Sequence, residues 1–225
     1  MVHLRRTAVL GVATLAALAL AVPSASAQTT TVRKGSATAD PYSGRVQASL
    51  LGVATVSTSL GTGSCNESTM TGSIQSDGSG LTIDSASFSN NGGPCSGSTS
   101  ATITPENFPW SGGSATYDSA HTGGRDAAVT IANFRVRAVV NILGGITCIY
   151  GGNLTANGFN PDNPNRGDTS VAEAQVGVRN ATVNKISNGS SFLCPSTATV
   201  SANYKLLGES SPGSGVYDQT LYVTE

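Results

Sequence analysis

The stretch VQASLLGVATVSTSLGTGSC (residues 46–65) decides the fold, because VTIANFRVRAVVNILGGITC (residues 129–148) answers it later in the chain. Laid cysteine on cysteine without gaps, the two agree at Val46/Val129, Val53/Val136, Val56/Val139, Leu60/Leu143, Gly61/Gly144 and Cys65/Cys148. Val129, Ile131 and Asn133 alternate with period two, as residues of a half-buried strand do. Gly52 breaks the first copy, where a bulge is expected.

Working outward, Cys95 opens CSGSTSATIT and Cys194 opens CPSTATVSANY, and SGGSATYD (residues 111–118) returns as SPGSGVYD (residues 211–218). The chain therefore reads as two pseudo-repeated halves, 46–118 and 129–218. If each half closes on itself, Cys65 bonds to Cys95 and Cys148 to Cys194. Loops of that length contribute about 3.5 to 4 kcal/mol each in the chain-entropy account of disulfides.

Strands are expected over 46–60, 69–75, 81–88, 98–103, 127–143, 146–157, 170–179, 182–186, 197–207 and 216–224. Turn signals separate them, among them Asp77-Gly78 and Asn188-Gly189. No segment after the leader pairs a helical apolar period with caps, so the fold class is all-β. A disulfide-stapled antiparallel β-sandwich or barrel satisfies the spacing and hides the strand edges. Two small serial β-domains are the alternative, with the segment 105–125 as linker instead of crossover.

Residues 1–27 combine Arg5 and Arg6, an apolar run and the small residues Ala25, Ser26 and Ala27, the pattern of a secretory signal peptide. Cleavage there leaves one domain over 28–225. General secretion fits better than twin-arginine export, since LRRTAVL lacks the residues that normally flank such a pair. The formal charge is −1, and −3 once both leader arginines are gone. That balance attracts neither nucleic acid nor an anionic membrane. An even number of cysteines behind a leader points to an oxidising compartment, hence to a secreted protein.

Catalytic machinery is sparse. After the leader, His121 is the one histidine available to a serine or cysteine nucleophile, and it sits among glycines. Asp84, Glu106, Asp118, Glu173 and Asp218 could supply a glycosidase-type carboxylate pair. Asp118 and Asp218 recur after tyrosine in both halves, which suits a turn better. The loop NGFNPDNPNRGD (residues 157–168) gathers Asp162 and Asp168 among four asparagines, a density that suits calcium or a tight surface turn. Arg135 and Arg137 share one strand face and could bind an anionic group, or could discourage edge pairing. Trp110, beside Phe108 and Gly112-Gly113, could stack on a sugar or plug the core. Sequons begin at Asn66, Asn153, Asn180 and Asn188, but the alanine-rich leader is bacterial in style.

The leader, the Ser/Thr/Gly-rich body and the phrases GSCNESTMTGSIQSDGSGL, ITPENFPWSGG, TIANFRVRAVVNILGGITC and GGNLTANGFNPDNPN together resemble a family of actinobacterial secreted β-proteins of unknown function. That resemblance implies export and a β-fold, and no activity. The chain is more loosely similar to enediyne-antibiotic apoproteins, which are smaller and have shorter cysteine spacings. The expected function is a non-enzymatic secreted module with no cofactor or metal, whose partner is a cell-wall or extracellular glycan or protein. Contacts are expected through Trp110, Arg135, Arg137, Asp162 and Asp168. Two alternatives are a carrier of a small apolar ligand, marked by a cavity between sheets, and a hydrolase with a carboxylate pair.

Overall fold

The computed structural model describes residues 29–142 and 144–225. The leader read over 1–27 and Leu143, one partner of the Leu60/Leu143 match, lie outside the described residues. The strands are β1 (Thr31–Lys34), β2 (Gly44–Thr58), β3 (Gly61–Cys65), β4 (Glu67–Ile74), β5 (Leu81–Ser89), β6 (Ser96–Gly97), β7 (Ala101–Pro105), β8 (Trp110–Tyr117), β9 (Ala127–Val140), β10 (Ile146–Phe159), β11 (Ala174–Lys185), β12 (Thr197–Glu209) and β13 (Tyr217–Thr224).

Eight of them form a ring in the order β2-β4-β5-β8-β9-β10-β11-β12, and β12 pairs back onto β2. Every neighbour is antiparallel, so the molecule is a closed barrel without free edges in its ring. The chain before residue 120 contributes four of these strands and the chain after it contributes the other four, each set in sequence order.

Toward one end, here the mouth, three short strands replace three of the ring members. The far half of β2 pairs with β3 (Ala54 opposite Cys65), and β3 pairs with β6. Cys95 bridges to Ala101, and β7 pairs with the far half of β9 (Ala101 opposite Val140). The mouth is thus walled by β2, β3, β6, β7 and β9 to β12. The base is walled by β4, β5 and β8 in place of those three. Both disulfides, Cys65–Cys95 and Cys148–Cys194, lie at the mouth and have the expected pairing.

Inward positions alternate along the long strands. On β9 the alternating buried positions are Ala127, Val129 and Ile131, then Phe134, Val136 and Ala138, with Ala132 also buried beside the phase reset at Asn133. Asn133 has φ 56°, a left-handed conformation that asparagine tolerates better than most residues. Its N–H donates to Asn153 Oδ1 at 3.1 Å, which holds the bulge. Asn180 resets β11 in the same way with φ 51°. It joins the two strands expected over 170–179 and 182–186 into one, while residues 170–173 stay in the preceding loop. Gly52, with φ 72°, is the bulge expected in β2. The bulges fall at different offsets in β2 and β9, so the aligned pair Val53 and Val136 face opposite ways: Val53 is 51% exposed and Val136 is 8% exposed. SGGSATYD lies mostly in β8, whereas SPGSGVYD is mainly the turn before β13, so those two segments occupy different places in the fold.

The base is capped. β1 and β13 pair as a two-stranded ribbon, with Thr31 opposite Thr224 and Lys34 opposite Leu221. The ribbon continues from β12, where Thr220 faces Leu207. Asn160 at the far wall holds Val223 through both its Nδ2 and Oδ1, at 2.9 and 2.8 Å. Val32 N–H donates to Ser76 O at 2.7 Å, and Tyr117 N–H donates to Thr30 Oγ1 at 2.9 Å. The polar lead before residue 40 and the segment 105–125 therefore contain strands β1 and β8, which sequence reading leaves out.

Candidate functional site

Eight strands enclose a lumen just wide enough to be filled by side chains or to hold one small molecule. Here it has two chambers. The lower one, about 100 Å³, is lined by Val46, Ile74, Leu81, Val129, Leu221 and Val32 among others. The upper one is about 300 Å³. Met70, Ile131, Val178 and Tyr204 line both and form the waist between them.

The upper chamber is spacious because of the side chains at its inward positions. Ala54, Ala138, Ala198 and Ala202 line it where larger apolar residues would close it, with Phe88, Phe134, Val136, Leu154 and Val183 completing the wall. Cys65, Cys95 and Cys148 line it as well, so each disulfide contributes at least one half to the wall. The lining extends outward to Leu60, Thr62, Ser96 and Ser98, which are exposed, so the chamber reaches the surface at the mouth, along the rim formed by β3 and β6. Hydroxyls from Thr58, Thr62, Ser64, Ser96, Ser98 and Thr99 ring this opening.

Among the described residues, no acidic or basic side chain lines either chamber. Polar groups inside the barrel are few. Tyr150 OH donates to Pro195 O at 3.1 Å. Ser68 Oγ and Tyr204 OH lie 3.1 Å apart at the waist, and both residues are buried. Burial pushes the hydroxyls of Tyr150 and Tyr204 above the usual phenol range, so both stay neutral at ordinary pH.

The residues singled out from sequence lie elsewhere. Trp110 is 1% exposed, its ring centroid 4.9 Å from that of Phe134 and 4.8 Å from that of Phe108. Its Nε1–H donates to Glu106 O at 2.8 Å, so both its faces and its polar edge are occupied in the core. This corrects its expected role as a contact residue. Arg135 and Arg137 share the outer face of β9, as their spacing requires. Both are tied to Glu106, at 3.3 and 2.9 Å, which offsets one of their two charges.

The loop at 157–168 is braced from within. Arg166 donates to the carbonyls of Asn163, Thr169 and Val171, which ties all three of its guanidinium nitrogens to the loop. Asp168 accepts from Ser170 N–H and Oγ at 2.9 and 2.6 Å, and these bonds hold its carboxyl below the usual range. Asp162 is exposed. Among the described residues no group of three His, Cys, Asp or Glu is placed to hold a metal ion.

Of the carboxylate candidates, none lines the lumen, and Asp84, Glu106 and Asp118 are engaged in ion pairs. Asp84 pairs with Arg45 at 2.6 Å and Asp118 with Arg125 at 2.6 Å. His121 Nδ1 lies 3.4 Å from Asp126 Oδ1 and 3.1 Å from Arg125 O at the base. The arrangement suited to a ligand is thus the upper chamber, whose lining sequence reading did not single out. The signal was present in β12, where Ala198, Val200, Ala202, Tyr204 and Leu206 alternate with polar residues. Alanine is a poor strand former, so alanines at inward positions indicate space and not propensity. Comparison with family models, with curated proteins and with solved structures finds no match.

Proposed function

We propose that this protein is an exported, non-enzymatic carrier that holds a small, uncharged apolar molecule in the upper chamber. The carrying observation is a cavity of about 300 Å³ with an apolar wall and no charged side chain. A cavity of about 150 Å³ with such a lining stays dry and takes benzene, so twice that volume suits roughly a dozen non-hydrogen atoms. An ionised ligand would lose its hydration there without gaining a partner. The two disulfides support export, as they are typical of extracellular proteins. The barrel is apolar inside and hydroxyl-rich outside, the reverse of a barrel that faces lipid, which supports a role in water.

Naphthalene, whose own fluorescence reports its surroundings, tests the reading. Saturable one-to-one binding is expected, weakened at least about tenfold when Ala138→Phe and Ala202→Phe fill the chamber, a loss of about 1.4 kcal/mol or more. Failure to bind, or equal binding by the filled variant, overturns it. A second reading, adhesion to an extracellular glycan or protein, rests on the apolar residues exposed near the mouth: Phe192 is 89%, Leu60 59% and Leu193 43% exposed. Substituting Phe192 and Leu193, which do not line the chamber, with serine would abolish adhesion and leave naphthalene binding in place.

A further inference from the structure

We infer that the ligand carries one uncharged oxygen, as an alcohol, aldehyde or ketone does, and that Tyr204 and Ser68 hold this oxygen at the waist. The inference rests on the carrier reading and narrows its ligand class. Ser68 and Tyr204 are 6% and 4% exposed. Each hydroxyl has one hydrogen to donate and lone pairs to accept with, so a mutual bond uses one hydrogen and leaves the other. The Ser68–Tyr204 contact at 3.1 Å is the one side-chain hydrogen bond either residue makes among the described residues. The pair therefore retains a donor hydrogen beside a largely apolar lumen, which it meets through Tyr204, since Ser68 is not among the lining residues of either chamber. There an unmet polar group is costly and a matching acceptor is favoured.

Position decides which end of the ligand it meets. Tyr204 lines both chambers, so its side chain belongs to the floor of the upper one. An oxygen-bearing end would enter first and meet this floor, while the hydrocarbon body fills the space beside Ala138, Ala202 and Phe134. Because no cationic side chain lines the chamber, a carboxylate has no counter-ion there. Tyr204 stays protonated in its buried site, so the pair presents a donor at any ordinary pH.

The test compares naphthalene, 1-naphthol and 1-naphthoate at neutral pH on the disulfide-intact protein. In the wild type, 1-naphthol is expected to bind about fivefold tighter than naphthalene, the return on one added hydrogen bond. The carboxylate should bind at least about tenfold more weakly than 1-naphthol. Tyr204→Phe and Ser68→Ala should each bring the naphthol-to-naphthalene ratio within roughly twofold. A wild-type ratio near one, a ratio that survives both substitutions, or naphthoate binding as tightly as naphthol overturns the inference while the carrier reading stands. If no probe binds at all, the carrier reading itself fails. The wild-type ratio needs no variant, so the outcome does not depend on how well either substitution folds.

Discussion

At the base, Val32, Leu221 and Val223 of the β1–β13 ribbon line the lumen and leave about 100 Å³ unfilled. At the mouth Ala54, Ala138, Ala198 and Ala202 stand at inward positions of the wall, and about 300 Å³ stays open. Both ends use the same alternation of inward apolar and outward polar residues, so the pattern that closes the barrel does not determine whether its interior is full. Fullness at the base comes from strands added after closure. At the mouth, two covalent bonds hold the walls that packing does not, so the two ends should respond differently to the same kinds of change.

The largest difference should come from the covalent bonds. Replacing Cys148 and Cys194 with serine is expected to lower unfolding free energy by about 4 kcal/mol on chain-entropy grounds, measured by chemical denaturation. Hydrogen exchange should quicken first around residues 146–149 and 186–196, with the base still protected. Equal loss of protection at both ends would break the contrast. Next in size, Leu221→Ala at the packed base should cost about 3 kcal/mol. Val200→Ala beside the open chamber should cost less than about 1.5 kcal/mol, since its neighbours already face space.

Overfilling reverses the asymmetry at smaller scale. Ala174→Leu, which adds volume against the smaller chamber, should destabilise by about 1 to 3 kcal/mol. Ala202→Leu should stay within about 1 kcal/mol of the wild type because it grows into open volume. Thermal melts of the pair decide it.

The smallest effect at neutral pH is protonic. Burial raises Tyr42, Tyr150 and Tyr204 above the unfolded phenol value near 10. Their contribution is fully present below about pH 10 and is lost as pH rises through the folded values. Asp118 is held low by the hydrogen bond from Arg125, and Glu209 by the N–H groups of Gly215 and Gly213. Their contribution is present above about pH 4 and is lost as pH falls through the folded values. Melting temperature should therefore hold a plateau between these limits. Replacing Tyr204 with Phe should reduce the alkaline slope.

Most strands were legible because a half-buried strand leaves its period in the sequence, as in Ala127, Val129 and Ile131. The cysteine pairing was legible because each bond closes within its own stretch of chain. Strands β3 and β8 were not: GTGSC and WSGGSATY are mostly glycine, serine and threonine, so they carry no apolar alternation. Trp110 read equally well as a surface platform or a core plug, because only the third dimension places Phe134 beside it. The chamber was hidden for a related reason. Ala54, Ala138, Ala198 and Ala202 come from three separate stretches, and the void they share exists only once β12 has paired with β2.

The β1–β13 ribbon has a practical corollary. Since Thr31 lies opposite Thr224 beneath the barrel, both ends of the described chain leave at the pole farthest from the mouth. A bead or chip coupled through Glu225 would hold every molecule with its opening toward the solution. A short linker from residue 225 to residue 29, with new termini cut between β9 and β10, should give a permuted chain that still closes the same ring.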